Sequence, residues 1–330
     1  MPENTVPIPL ILLTGFLGSG KTTLLNGLLR HPEFGGTAVL VNEIGTIGID
    51  HNLVVGASDD ILLLEGGCVC CQPKGSVSEG VSQLLMLDPP PKRIVIETSG
   101  AANPYPVLES LSQHPLASTS FQFPRVATVV DCLHGKTTLA QHLEARFQLS
   151  AADVVVLSKA DLASTADRLA INETVAQSNP AAMCLTGSGG VLPGELAKEL
   201  LRPGGLSDSR HDESSSPIEH VHGDKEFETV GLQFDGYLEA AAVQDWIDEV
   251  LELYGSNILR IKGILRLKDF EQPAVLQCVR DMVHPLELLD AESNPISHNN
   301  IVAIGWDMHR ELLAEALGWL AERSEQGSSK

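Results

Sequence analysis

The run Gly15-Phe16-Leu17-Gly18-Ser19-Gly20-Lys21-Thr22-Thr23 follows the apolar stretch Pro7 to Leu13 and leads into the helical pattern Leu24 to Leu29. This G-x-x-x-x-G-K-[ST] string needs a buried strand before it and a helix after it, and both are written here. In that setting unpaired backbone N–H groups and the positive end of the helix dipole face an anion. Gly15, Gly18 and Gly20 permit the turn, with Ser19 and Thr23 as further members of the loop. Lys21 reaches the β- and γ-phosphates, and the Thr22 hydroxyl is a ligand for magnesium. The string predicts a nucleoside triphosphate site where a buried parallel strand turns into a helix.

The rest of the chain is compatible with such a sheet. Short apolar runs at Pro9–Thr14, Thr37–Val41, Ile61–Leu64, Arg93–Glu97, Arg125–Asp131, Asp153–Ser158 and Met183–Thr186 alternate with helical stretches. All-apolar strands separated by helices predict an α/β fold, a doubly wound and mostly parallel sheet. From 202 to 224 the composition turns to Gly, Ser, Asp, Glu and His, the mark of a linker. Strands are then predicted at Phe227–Phe234, Leu259–Leu267, Val275–Val279 and Ile301–Ile304, with helices at Ala240–Tyr254 and Met308–Glu322. The expected organisation is a P-loop domain over 1–203, a polar linker over 204–225 and a smaller α+β domain over 226–325.

Charge narrows the partners. The 330 residues carry 22 basic and 43 acidic side chains, a formal charge of -21. Nucleic acid and anionic membrane surfaces are repelled by such a chain. No stretch reaches the ~18 apolar residues that span a bilayer, and Pro7 to Leu13 lacks the basic leader of a signal peptide. Three of the six cysteines fall within four residues, which points to a thiolate site in a reducing compartment, the cytoplasm, rather than a disulfide framework.

Four further segments bear on chemistry. Ile94-Val95-Ile96-Glu97-Thr98-Ser99-Gly100 ends a strand in an acid. In P-loop proteins such an acid supports the magnesium shell, and the Gly100 backbone is placed to sense the γ-phosphate. Ser158-Lys159-Ala160-Asp161 ends another strand. The Asp161 carboxylate can accept both N–H groups of guanine, a readout adenine cannot return, while the Lys159 stem covers the base. Asn42-Glu43-Ile44-Gly45, followed by Asp50, occupies the place of a switch loop. There Glu43 and Asp50 can meet magnesium, the attacking water or a second metal, or remain solvated acids.

Gly66-Gly67-Cys68-Val69-Cys70-Cys71 is the fourth. Three soft ligands this close suit Zn(II), Cu(I) or another thiophilic ion. In a strand Cys68 and Cys70 share a face and Cys71 opposes them, so convergence needs a turn, which the two glycines favour. Glu43, a histidine or water can complete the set. Cys132, Cys184 and Cys278 stand alone and read as small buried hydrophobes. His211, His220 and His222 fall in the linker and either hold a metal or belong to a polar disordered segment. His114 and His298 read as loop histidines, Trp246 and Trp306 as packing anchors.

In their order, GFLGSGKTT, NEIG, GGCVCC, ETSG and SKAD resemble the motifs of the CobW-type P-loop GTPases, a family implicated in metal delivery. The resemblance extends to Arg260-Ile261-Lys262-Gly263 and Ile301-Val302-Ala303-Ile304-Gly305 in the second domain, so it covers nearly the whole chain. It implies binding of GTP and GDP with magnesium, hydrolysis supported by Lys21, Glu43 and Glu97, and a metal held by Cys70, Cys71 and Cys68. Zinc is the first expectation, cobalt or iron the alternatives, and the partner a client metalloprotein or cofactor pathway. Glu97 replaces the more usual aspartate. Ser158 stands where the guanine motif more often has Asn, while Asp161 keeps the base-reading carboxylate, so preference for GTP is expected to survive. Two other readings compete with a metallochaperone. One is a GTP-gated metal sensor; the other is a small-molecule or nucleotide kinase, against which stand the lack of an Arg-rich lid and a C-x-C-C run that has no place in that chemistry.

Overall fold

The computed structural model describes residues 7–42, 62–66, 77–117, 119–187, 194–201, 227–289, 296–306, 308, 315 and 319. They form two compact units, one of residues 1–172 and 184–202, the other of residues 173–183 and 203–330.

The first unit is a seven-stranded sheet. Its strands are β1 (Leu10–Gly15), β2 (Thr37–Asn42), β3 (Leu62–Gly66), β4 (Arg93–Thr98), β5 (Arg125–Asp131), β6 (Val154–Ser158) and β7 (Met183–Thr186). They run in the order β3-β2-β4-β1-β5-β6-β7. The registers from β3 across to β6 are all parallel. The expected doubly wound sheet is therefore present. Helix α1 (Lys21–Leu29) follows β1, α2 (Val77–Leu85) follows β3, α3 (Tyr105–Ser112) follows β4, α4 (Gly135–Gln141) and α5 (Leu143–Ala151) follow β5, α6 (Thr165–Ser178) follows β6 and α7 (Gly194–Leu201) follows β7. Apolar β1, β4 and β5 are buried on both faces, as the unbroken Leu, Ile and Val runs require. The chain passes from β1 out to β2 and β3, returns as β4, then crosses to β5. The sheet order thus reverses around β1, and a crevice opens at the carboxyl ends there, where open α/β sheets bind ligands.

The second unit is an antiparallel sheet of β8 (Phe227–Phe234), β9 (Ile258–Leu265), β10 (Ala274–Val279), β11 (Met282–Val283), β12 (Glu287–Leu288) and β13 (Asn299–Trp306). The order is β11-β10-β9-β13-β8, with β12 also paired to β10. Helix α8 (Ala240–Tyr254) covers one face. Its stripe of Val243, Trp246, Ile247 and Val250 packs on Ile261 and Leu265 of β9, Leu276 of β10 and Ala303 of β13. Val302 and Ile304, on the other face of β13, pack with Ala181. The two-residue strands β11 and β12 were not predicted, since two residues carry no periodicity. The expected helix Met308–Glu322 lies largely outside the described residues. Among those residues no helix is long and apolar enough to cross a membrane.

Candidate functional site

The P-loop joins β1 to α1 with a backbone that only its glycines tolerate. Gly18 at φ 73° and Gly20 at φ 99° are left-handed, and Gly20 starts α1 without a side-chain cap. The first-turn N–H groups of α1 are thus left to a ligand rather than a side chain. Lys21 is 9% exposed. Its Nζ donates to the carbonyls of Gly15 at 2.8 Å and Phe16 at 3.3 Å, so the ammonium is folded over the loop it serves.

Beside it stands the end of β4. The register pairs Leu13 with Glu97, which carries that carboxylate to the level of the P-loop. Thr22 Oγ1 donates to Glu97 Oε1 at 3.0 Å, and Glu97 is only 6% exposed. One strand pair down, Thr98 Oγ1 donates to Thr14 Oγ1 at 2.8 Å and ties β4 to β1. Gly100 lies so close to the P-loop that a Cβ would stand 2.7 Å from Leu17 Cδ2 and 2.9 Å from Leu17 Cα. No larger residue fits without moving the loop. A hydroxyl and a carboxylate at this spacing form the hard oxygen pair that magnesium prefers.

The end of β6 flanks the other side. Ser158 Oγ donates to the Ser19 carbonyl at 2.6 Å, so the short side chain anchors the P-loop from the end of β6. Lys159, at φ 55°, is ion-paired through Nζ to Asp131 Oδ2 at 2.6 Å. That contact fixes its stem at the end of β5. Ala160 is buried, and the Asp161 side chain faces solvent. A cavity of about 180 Å³ adjoins the P-loop, lined among others by Phe16, Gly18, Asp131, Thr138, Gln148 and Lys159.

Lys21, Thr22, Glu97 and Gly100 thus gather at one point, and Ser158, Lys159 and Asp161 at its neighbour. Thr23 is exposed on the first turn of α1. Glu43, Asp50, Cys68, Cys70, Cys71 and the linker histidines lie outside the described residues; Gly66 closes β3 at the point where the cysteine run begins. The remaining thiols are poor metal ligands. Burial pushes Cys184 and Cys278 up to about 12, with Cys132 adding for Cys184 and Asp281 for Cys278. Cys132 is raised by burial and by Asp131. Cys278 Sγ lies 3.0 Å from the Arg280 carbonyl, as a protonated thiol would.

The other singled-out residues are structural. Leu116 N–H donates to His114 Nδ1 at 3.0 Å and His114 Nε2 lies 2.9 Å from Ser82 Oγ, a clasp between α2 and the end of α3. His298 pairs with Asp235 at 2.5 Å. Trp246 is in the second core, and Trp306 meets Phe227 edge-on at 6.1 Å. Two contacts of the site have no trace in local sequence: His142 stacks on Phe16 with ring centroids 4.4 Å apart, and Gln148 donates to the Gly100 loop.

Comparison with known proteins agrees with this geometry. Residues 9–186 match the CobW/HypB/UreG nucleotide-binding domain, and residues 227–320 the cobalamin synthesis protein cobW C-terminal domain. The zinc chaperone YjiA of Escherichia coli K12 is 30% identical over 266 residues, which cover 78% of this chain and 82% of that protein. The zinc chaperone CobW of a Sinorhizobium species is 27% identical over 311 residues, covering 84% and 86%. The crystal structure of Zn(II)-bound YjiA GTPase from E. coli is similar in fold, with a TM-score of 0.67 at 21% identity over 96% of this chain and 99% of that one. With a P-loop, an acid at the end of β4 and both domain matches in place, this chain belongs to the CobW/HypB/UreG family of nucleotide-binding proteins and carries the CobW C-terminal domain.

Proposed function

We propose that this chain hydrolyses GTP to GDP and phosphate, and uses that cycle to control a thiolate-bound metal that it hands to a client protein. The observation that carries the reading is the half-buried Thr22–Glu97 pair, 3.0 Å apart, beside a Lys21 whose ammonium rests on P-loop carbonyls. When phosphate arrives, Nζ exchanges those carbonyls for β- and γ-oxygens and stabilises the charge that builds as the bond to the γ-phosphoryl breaks. Thr22 and Glu97 would hold magnesium, which supplies neutralisation of the same oxygens. Asp161 selects guanine through two accepted hydrogen bonds, with Lys159 held for stacking by Asp131. Glu43 and Asp50 are assigned to the switch loop, to orient water or complete the magnesium shell.

The metal is zinc in this reading, with cobalt and iron as alternatives, on the strength of relatives named as zinc chaperones. Its ligands are Cys70, Cys71 and Cys68, a soft set behind Gly66-Gly67. Free thiolates fit a reducing compartment, so the cytoplasm is the proposed location. The test is metal affinity measured with GDP and with a non-hydrolysable GTP analogue, with cobalt as the spectroscopic probe. A difference of ~5–150-fold is expected, and linkage then requires the metal to change nucleotide affinity by the same factor. Equal affinities would overturn nucleotide control. A Cys70→Ser/Cys71→Ser variant that keeps the thiolate-to-cobalt charge-transfer band would place the metal elsewhere.

A further inference from the structure

The nucleotide reading leaves unexplained a glutamine buried behind the site. Gln148 of α5 is 1% exposed. Its Nε2 donates to the carbonyls of Gly100 at 3.1 Å and Ala102 at 2.9 Å. Two carbonyl oxygens can be met only by the NH₂ end of the carboxamide, so the assignment of nitrogen and oxygen follows from chemistry. The helix is itself pinned, because Thr128 Oγ1 donates to the Gln148 carbonyl at 2.7 Å from β5, the strand next to β1. At the head of α5, His142 stacks on Phe16. One helix therefore grips both the loop after β1 and the loop after β4.

That grip has a direction. In a trans peptide the C=O and the following N–H point opposite ways. Drawing the Gly100 carbonyl towards α5 turns Ala101 N–H away from it. On its other side Gly100 is already in close approach to Leu17. The loop is held from two sides, by a hydrogen-bond donor and by packing. Gln148 is among the residues lining the cavity beside the P-loop, and its buried Oε1 has no hydrogen-bond partner among the described residues. What the side chain contributes here is its two donated bonds.

We propose that Gln148 is a positioning residue: it sets the loop after β4 so that the Gly100–Ala101 backbone can meet the γ-phosphate, and thereby adjusts the preference for GTP over GDP without touching either. The inference rests on the GTPase reading above. Gln148→Met keeps the length and removes the donor; Gln148→Glu replaces donors by acceptors facing two carbonyls; Gln148→Asn is a milder change that shortens the reach. In nucleotide-free protein, amide hydrogen exchange over residues 99–103 should rise roughly tenfold in the Met variant, a change of the size two lost hydrogen bonds produce. Affinity for a non-hydrolysable GTP analogue should fall roughly tenfold, with GDP affinity nearly unchanged and kcat lowered more than KM is raised. The Asn variant should fall between, and the Glu variant should exceed both.

A merely structural role predicts something else: a lower melting temperature with both nucleotide affinities reduced alike. That result, or an unchanged analogue-to-GDP ratio with unchanged exchange, overturns the proposal. If the Met variant does not fold, the Asn variant decides by the same ratio. Wild-type protein that binds neither nucleotide would overturn the GTPase reading instead, and the exchange measurement would still judge whether Gln148 holds the loop.

Discussion

Both units bury charge, and they do it in different places. In the first, Lys21 and Glu97 sit where strands stop and glycines begin, at the carboxyl edge of a parallel sheet. In the second, Arg260 at 1% and Lys262 at 3% exposure lie in the middle of β9, flanked by β10 and β13. A charge at a strand end has an open side from which a ligand can replace its present contacts, as the P-loop carbonyls of Lys21 would be replaced. A charge in mid-strand is walled by two ladders, and its aliphatic stem is part of the packing. Buried charge therefore marks a site only with a strand end and a tight turn beside it.

The contrast predicts loss of function without loss of fold in one unit, and the reverse in the other. Lys21→Ala should lower kcat by at least ~10²–10³-fold, the effect of removing one preorganised charge contact, while its melting temperature stays close to wild type. A large thermal shift would break the distinction. Arg260→Ala should cost about 3 kcal/mol in a denaturant titration of the second unit, chiefly through the emptied volume on β9. GTP affinity unchanged in that folded variant would sharpen the contrast. Asp161→Asn should reduce the GTP-to-ATP affinity ratio by roughly 10²-fold, since the amide cannot accept two guanine N–H groups. Equal affinities in the wild type would remove the guanine assignment.

Acid should find the second unit first. Burial, with Arg260 nearby, lowers His284 from its ordinary value to about 4. Above the unfolded value of roughly 6.5 both states are neutral and nothing is lost. As pH falls towards 4 the unfolded chain takes a proton that the folded chain refuses, so stability declines across that window and levels off below it. With His284 partly exposed, on the order of 1–2 kcal/mol is expected. His284→Gln should flatten the pH dependence of denaturant midpoints, and an unchanged slope would exclude this histidine as its source. The smallest effect belongs to Ser158→Ala. Loss of the 2.6 Å bond to the Ser19 carbonyl should weaken nucleotide binding about fivefold, near 1 kcal/mol, whereas Ser158→Asn should retain it.

The phosphate loop, the sheet and the acid of β4 could be read along the chain because each rests on a local pattern. Gly18 and Gly20 are needed for a backbone conformation, and Leu10–Leu13 is apolar on both faces because both faces are covered. The match of Ser158 to a motif position was legible too, but its bond to Ser19 was not, because 139 residues separate them. The same holds for Gln148 and Gly100, 48 residues apart, and for His142 on Phe16. Side-chain type announces what a residue can donate or accept, not which strand order will bring the partner.

Backbone requirements and apolar periodicity, both properties of neighbours in sequence, were enough for the P-loop and the class of fold, and the order of the motifs carried the resemblance to the family. Where Glu97 comes to face Thr22, which serine holds the P-loop from β6, and why Gln148 is buried depended on the reversal of strand order around β1. That reversal sets β4 and β5 on either side of one strand, and helix α5 behind them. Distances between side chains follow from this arrangement, and it is fixed by packing across the whole sheet rather than by any segment within it.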